Sequence, residues 1–323
     1  MRPRRTGLGR LVRVHDRRSL PIRMGVVLAL SVTLGSAVAQ PSDPSTDARV
    51  ALSRASPTAI DECTAAERAD IRAYTGLLDH RPCLQRALAK AHAAGRSLIV
   101  DAGLWNLESG HVELKIAQHL RGEGFGELPV EDARKGTIIR FRYAASTDPY
   151  GFLVTGSGVT IENMEFRQAH PRLAPGWTPT IGPWAIYAKA EPYADAGGHR
   201  LTVRHVLLRN IYQGINTGLA RGGTFTDIMG QPLKTGIRVE ANVDEPHFSD
   251  IRFGWPYWSG QPDVMAYVHS NLIAFDFERI DNPKMSNIFT FNAKVGLRCS
   301  QRLSDYTPGN CSLLRAVNMG HDS

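Results

Sequence analysis

Between Thr202 and Arg298 the apolar positions recur in a fixed phrase: an apolar residue, a small or polar one, an Asx-like residue, then another apolar residue. It reads Phe225-Thr226-Asp227-Ile228, Phe248-Ser249-Asp250-Ile251 and Met285-Ser286-Asn287-Ile288, with looser upstream copies at Ile161-Glu162-Asn163-Met164 and Val203-Arg204-His205-Val206. Successive starts lie 42, 22, 23 and 37 residues apart. A second phrase interleaves with it, an apolar step at Gly214-Ile215, Gly236-Ile237, Ala274-Phe275 and Gly296-Leu297, spaced 22, 38 and 22. Two phrases sharing a step near 22 residues mark a stacked solenoid.

Within a repeat the pattern alternates with period two, as in Ile237 and Val239 against Arg238 and Glu240, which predicts strands and excludes helical repeats. The leucine ladder of leucine-rich repeats is missing, and β-branched and aromatic residues fill the apolar sites instead. A coil of three short strands per turn, about seven turns in all, satisfies these constraints. The Asx column falls where such a coil bends, a place for residues that tolerate left-handed backbone. His205 interrupts that column and predicts one irregular turn. The inward positions are Leu98, Val100, Leu114, Ile116, Ile138, Val159, Ile161, Val203, Ile215, Ile237, Val239, Phe275, Phe277 and Leu297.

Residues 61–95 are helical in pattern, with Thr64-Ala65-Ala66-Glu67 as a capping box, and are placed to plug the open first turn. The run Cys83 to Ala91 resembles the amphipathic capping helix of the pectate-lyase-like superfamily, which holds pectate lyases, polygalacturonases and tailspike depolymerases. Ser97 to Leu107 is similar to that group's first strand pair, and Leu120-Arg121-Gly122-Glu123-Gly124 resembles the glycine turn that follows. The resemblance spans roughly residues 80 to 300. It implies an all-β fold, a single-stranded right-handed parallel β-helix with an N-terminal capping helix, over residues 96–323. Fold alone assigns no chemistry.

The first 39 residues read as an export signal: an arginine-rich start, an apolar run from Met24 to Leu34, and Ala37-Val38-Ala39 before Gln40. The run is too short to span a membrane, so no stable membrane insertion is expected after cleavage. This leader carries eight of the 38 Lys and Arg and one of the 31 Asp and Glu, leaving 30 of each in the remainder. The net charge of +7 therefore belongs to the leader, and nucleic-acid binding loses its compositional support. Residues 40–60 read as a flexible polar stretch. The expected location is periplasmic or extracellular, and no pattern sets the oligomeric state. Four cysteines bracket the body, Cys63 and Cys83 near the cap, Cys299 and Cys311 near the far end. An even count in an exported chain favours two disulfides over a metal site, and local pairing is the simplest of three connectivities.

The two long spacings place insertions near 169–184 and 254–271, both leaving the coil at the same corner. They carry Trp177 and Trp184, then Trp255, Tyr257 and Trp258, and flat aromatic faces suit sugar rings. Parity makes Tyr187, Asn216, Arg238, Asp276 and Arg298 one outward column, with Lys189, Glu240, Glu278 and Ser300 in a second. Carboxylates here offer the pair a glycoside hydrolase uses. Arg238 or Arg298 offers the cation, and a neighbouring base the proton acceptor, of a lyase acting on a uronic acid. The alternative is a ladder of cross-strand ion pairs with no catalytic part. The expected catalytic set is Asp276, Glu278, Glu240, Arg238 and Arg298. The expected substrate contacts are Trp177, Trp184, Tyr187, Asn216, Trp255, Tyr257 and Trp258, and the partner is a polysaccharide or oligosaccharide. A non-catalytic binding or assembly factor, or an adhesive β-helix, would use the same scaffold.

Departures from relatives narrow this. Asn216-Thr217-Gly218 lacks the acid of the polygalacturonase Asn-Thr-Asp start, no Asp-Asp pair follows, and Gly198-His199-Arg200 is not that family's Gly-His-Gly. No aspartate cluster holds calcium on the sheet; Asp244, Glu245 and Asp263 are the nearest approach, and no cofactor or metal is expected. His170, His199, His205 and His247 are scattered and read as ordinary histidines.

Overall fold

The computed structural model describes residues 56–126, 135–189, 200–254, 261–301 and 309–322. The expected leader and most of 40–60 lie outside the described residues, as do His199, Trp255, Tyr257 and Trp258.

The named strands pair in parallel, each with its equivalent one turn on. One sheet, called the bent sheet below, stacks Leu98–Val100, His119–Gly122, Thr160–Gln168, Thr202–Arg209, Thr224–Gln231, His247–Phe253, Lys284–Phe291 and Arg315–Asp322 in that order. The second stacks Val112–Leu114, Tyr150–Val154, Trp184–Ala188, Gln213–Asn216, Thr235–Asn242, Ile273–Asp281 and Val295–Cys299. Gly103–Leu107 and Thr137–Phe141 extend the bent sheet, pairing onto the second half of Thr160–Gln168. Each long bent strand is therefore two straight runs, giving the expected three runs per turn.

The bend has a definite cause. Asn163, His205, Asp227, Asp250, Asn287 and Asn318 hold left-handed backbone at φ 58°, 49°, 51°, 56°, 54° and 55°. Asn and Asp reach that region at low cost, and His is enriched there too. His205 thus keeps the column it was expected to break, and its turn is regular. Arg315–Asp322 pairs along its length with Lys284–Phe291 and adds a further strand to the bent sheet.

Inside the coil one apolar column comes from each run. Phe225 and Phe248 stack at 5.0 Å, Phe248 meets Phe277 at 5.3 Å, and Phe253 meets Phe275 at 5.7 Å. Most of the expected inward residues are buried. Ile116 and Leu297 are the exceptions: Ile116 is 52% exposed, because its strand ends at Leu114 and it falls in the following turn, and Leu297 is only partly buried.

Helices α1 (Ala65–Ala73) and α2 (Arg81–Ala93) cover the first turn. Cys63 bonds to Cys83 and Cys299 to Cys311, the local pairing. Thr64 forms the capping box with Glu67, each side chain meeting the other's backbone N–H. Thr64→Ala is expected to cost about 1 kcal/mol, read as a small drop in the thermal midpoint with an unchanged circular-dichroism spectrum.

Candidate functional site

Register decides which side chains share the second sheet's outer face. Tyr187 pairs with Asn216, Asn216 with Arg238, Arg238 with Asp276, and Asp276 with Arg298. The expected column therefore exists, with coils about 4.8 Å apart. Leu153 and Glu113 continue it upward. Glu240 and Glu278 fall side by side in the next column, since Val239 pairs with Phe277.

The charges on this face are linked in pairs. Arg298 grips Asp276 through Nε and Nη2 at 2.8 and 2.7 Å, and this bond holds the guanidinium above its usual pKa. Arg238 Nη2 donates to Glu278 Oε1 at 2.5 Å, and its Nε lies 3.9 Å from Glu240 Oε1. Asn216 Nδ2 donates to Glu240 Oε1 at 2.9 Å, while its Oδ1 accepts from Gly218 N at 2.8 Å.

Two expected roles change as a result. Asp276 points outward but is only 4% exposed, because Arg298 from the next coil lies over it. Its part is to position Arg298, which keeps 48% of its own side chain in solvent. Asn216, an expected substrate contact, is buried, its amide nitrogen bonded to Glu240 and its amide oxygen to Gly218 N. Arg298, Arg238, Glu240, Glu278 and Tyr187 remain accessible.

The tryptophans also differ from expectation. Trp184 shares parity with inward Ile186 and is 8% exposed. Trp177 is 7% exposed; its Nε1 donates to Pro171 O, and its ring meets His170 and Tyr267 edge-on at 5.9 and 6.0 Å. Neither presents a ring face to a sugar. Tyr267 lies on α3 (Pro262–Asn271), a helix inside the second insertion. The Trp177–Tyr267 contact joins the two insertions, which both lead from the bent sheet to the second sheet. Accessible aromatic surface sits on the sheet itself, where Tyr150 packs on Tyr187 at 4.6 Å and His111 meets Tyr150 at 6.0 Å. Sequence reasoning missed Tyr150 and His111, because one more coil of the register leads from Tyr187 to Leu153, while Tyr150 pairs with Trp184 at the strand's start.

His170 anchors the first insertion. Thr180 N donates to its Nδ1 at 3.1 Å, so Nε2 carries the hydrogen and donates to Asn210 O at 2.7 Å. Burial lowers its pKa to about 4. An unfolded histidine takes up its proton near pH 6.5, earlier than the folded one, so stability is fully present above about 6.5 and falls as pH drops toward about 4, by about 3 kcal/mol at most. His170→Gln is expected to flatten the thermal midpoint across that window.

The candidate calcium set does not assemble among the described residues. Glu245 is engaged by Lys284 at 2.6 Å, and Asp263 lies in the first turn of α3. The metal-type cluster found there, Cys63, Glu67 and Cys83, has both thiols in a disulfide.

No protein-family model matches the sequence, and no curated protein matches it. Among solved structures, the chain is similar to the A-module of the Azotobacter vinelandii mannuronan C-5 epimerase AlgE4 at 15% identity, TM-score 0.34, over 73% of this chain and 70% of that one. It is also similar to the Agl-KA catalytic domain at 12%, TM-score 0.29, over 90% and 67%. A third is PfbA, a surface adhesin of Streptococcus pneumoniae, at 9%, TM-score 0.26, over 83% and 79%. Superpositions this loose bear on neither activity nor ligand. The chain's own strand pairing establishes its architecture: it is a parallel β-helix with a helical N-terminal cap, the fold that the pectate-lyase-like resemblance implied.

Proposed function

We propose that this protein is exported and binds an acidic polysaccharide across the face from Tyr187 to Arg298, modifying it by lyase-type proton abstraction. One observation carries the reading: Arg298 and Arg238 keep 48% and 33% of their side chains in solvent, more than any of the three carboxylates, Glu240, Asp276 and Glu278, each of which lies against one of them. An arriving uronate competes with Glu278 for the Arg238 fork, and guanidinium binds such a group in bidentate fashion. Displaced Glu278 is then the base beside the substrate. It takes the proton at C5, the C4–C5 double bond forms, the C4–O bond breaks, and the leaving oxygen takes a proton from the solvent at this open face. Hydrolysis fits less well, because it needs an acid that donates a proton to the glycosidic oxygen, and acids engaged by guanidinium are acceptors.

Export is supported by the leader pattern and by two disulfides, which persist in oxidising compartments. No helix among the described residues is long and apolar enough to cross a membrane. The test is incubation of the mature protein with a panel of uronic-acid polymers, following the ultraviolet absorbance of new unsaturated ends alongside reducing sugar. Absorbance rising with reducing ends supports elimination. Reducing ends alone would mean hydrolysis, and binding without product would leave a carbohydrate-binding protein.

A further inference from the structure

The outer surface of the bent sheet carries a groove that the second sheet's chemistry does not use. It follows the left-handed bend, where the chain turns concave toward solvent at every coil. Two hollows of about 340 and 410 Å³ lie along it, and Asp227 lines both. The first reaches up to Arg121 on the strand His119–Gly122, and the second reaches down to Asn318 on the last strand, so the groove runs nearly the length of the stack.

Its floor is a polar ladder with one rung per coil. Asn318 Nδ2 donates to Asn287 Oδ1 at 2.8 Å, and Asn287 Nδ2 donates to Asp250 Oδ1 at 2.9 Å. His205 Nδ1 and Asp227 Oδ2 lie 2.6 Å apart one turn further up. These bonds orient the ladder without exhausting it. Each amide has a second N–H, each carboxylate a second oxygen, and Asp250, Asn287 and Asn318 are exposed. Left-handed backbone explains why Asn or Asp sits here, and the in-register stacking of the coils sets these residues in line. The wall carries cations. Arg204 and Arg121 are both more than half exposed and flank Glu162, which is buried and also bonded to His119 Nε2 at 2.8 Å. Exposed Arg252 stands beside the lower hollow.

We infer that this groove is a second binding site for an extended acidic oligosaccharide, with one sugar unit per coil. The coil spacing of about 4.8 Å is close to the step of one pyranose in an extended chain. Ring hydroxyls meet the amide and carboxylate ladder, and anionic substituents meet Arg121, Arg204 and Arg252. The inference takes its ligand class from the function proposed above, but not its location. With two faces the protein holds one strand while the other face acts on a second, or on a further stretch of the same one.

The experiment is titration calorimetry of the mature protein with a galacturonate hexamer, a mannuronate hexamer and, as neutral control, cellohexaose. Asp250→Gly combined with Asn287→Gly removes two rungs while leaving backbone that accepts the left-handed bend. The wild type is expected to bind one acidic hexamer at two sites. The glycine pair should lose one of them, with at least a tenfold loss of affinity, and Arg252→Gln should weaken that same site. Arg238→Gln with Arg298→Lys should lose the other. A single site lost in the glycine pair alone upholds the groove and overturns the second-sheet function. One lost only in the arginine pair overturns the groove and leaves that function standing. Cellohexaose binding in the groove as tightly as the acidic hexamers overturns the ligand class, and no binding of any hexamer overturns the inference. Thermal midpoints and circular dichroism confirm that each variant keeps its fold.

Discussion

Replacing Glu278 with Gln is expected to lower kcat on an acidic polysaccharide about 10²–10⁴-fold, the usual contribution of a positioned general base. The amide still offers an oxygen to Arg238 Nη2, so the ion-pair ladder loses charge but not shape. The thermal midpoint should therefore change little, and because the neutral amide competes less for the Arg238 fork, KM should hold or fall while the loss appears in kcat. Glu240→Gln separates the two acids. Glu240 is held by Asn216 and stands further from Arg238, so its replacement is expected to cost much less. Equal losses in both variants, or full activity in Glu278→Gln, would remove the base assigned here. Arg298→Lys adds a third arm: it keeps a positive partner for Asp276 but loses the planar fork, so it should raise KM more than it lowers kcat.

The largest effect on stability is expected at Glu165, away from the proposed site. Its side chain is fully buried on the outer side of the bent sheet, and its Oε1 accepts from Arg167 Nε at 2.6 Å and Arg209 Nε at 2.9 Å. Arg209 is itself buried, and Arg140 lies in register with Arg167, held by Asn106 and the Gly76 carbonyl. Three guanidinium groups thus stack on successive coils, two of them sharing one carboxylate. Glu165→Ala removes that shared charge from a buried setting, and breaking a buried pair from one side costs about 3–5 kcal/mol. Urea unfolding should show the loss as a shifted midpoint. Glu165→Gln, which keeps an acceptor but no charge, should fall between the wild type and Ala. A loss below about 1 kcal/mol in the Ala variant would mean that Glu165 does not hold the arginine column.

Most of the fold was legible because a stacked coil repeats its instructions. The apolar phrase fixed the register of both sheets, and that register brought Arg238, Asp276 and Arg298 into one column. His205 was misread by residue type, where conformation was what mattered. The strand Arg315–Asp322 was readable too, since Ala316-Val317-Asn318-Met319 is a looser copy of the phrase, with Val317 at the small or polar place. So was α3, which opens on Pro262 and buries Val264 and Val268 four residues apart.

The site was less legible because its details are set between coils. Parity correctly turned Asp276 outward, yet only the neighbouring strand shows that Arg298 covers it. Trp184 could have been placed inside by the same parity that turned Tyr187 outward. Trp177 could not, because its partner Tyr267 lies on a distant insertion, and no local pattern announces that contact. Asn216 looked like a ligand contact by column, but its engagement by Glu240 and Gly218 depends on side-chain geometry that no spacing encodes.

A crystal structure of the mature protein with a bound uronate tetramer tests the central claim most directly. A sugar carboxylate within about 3 Å of the Arg238 guanidinium, with Glu278 turned from that fork toward the ring carbon beside the carboxylate, is the result expected here. A tetramer whose carboxylates bypass Arg238 and Arg298, leaving the Glu278 pair undisturbed, would contradict it.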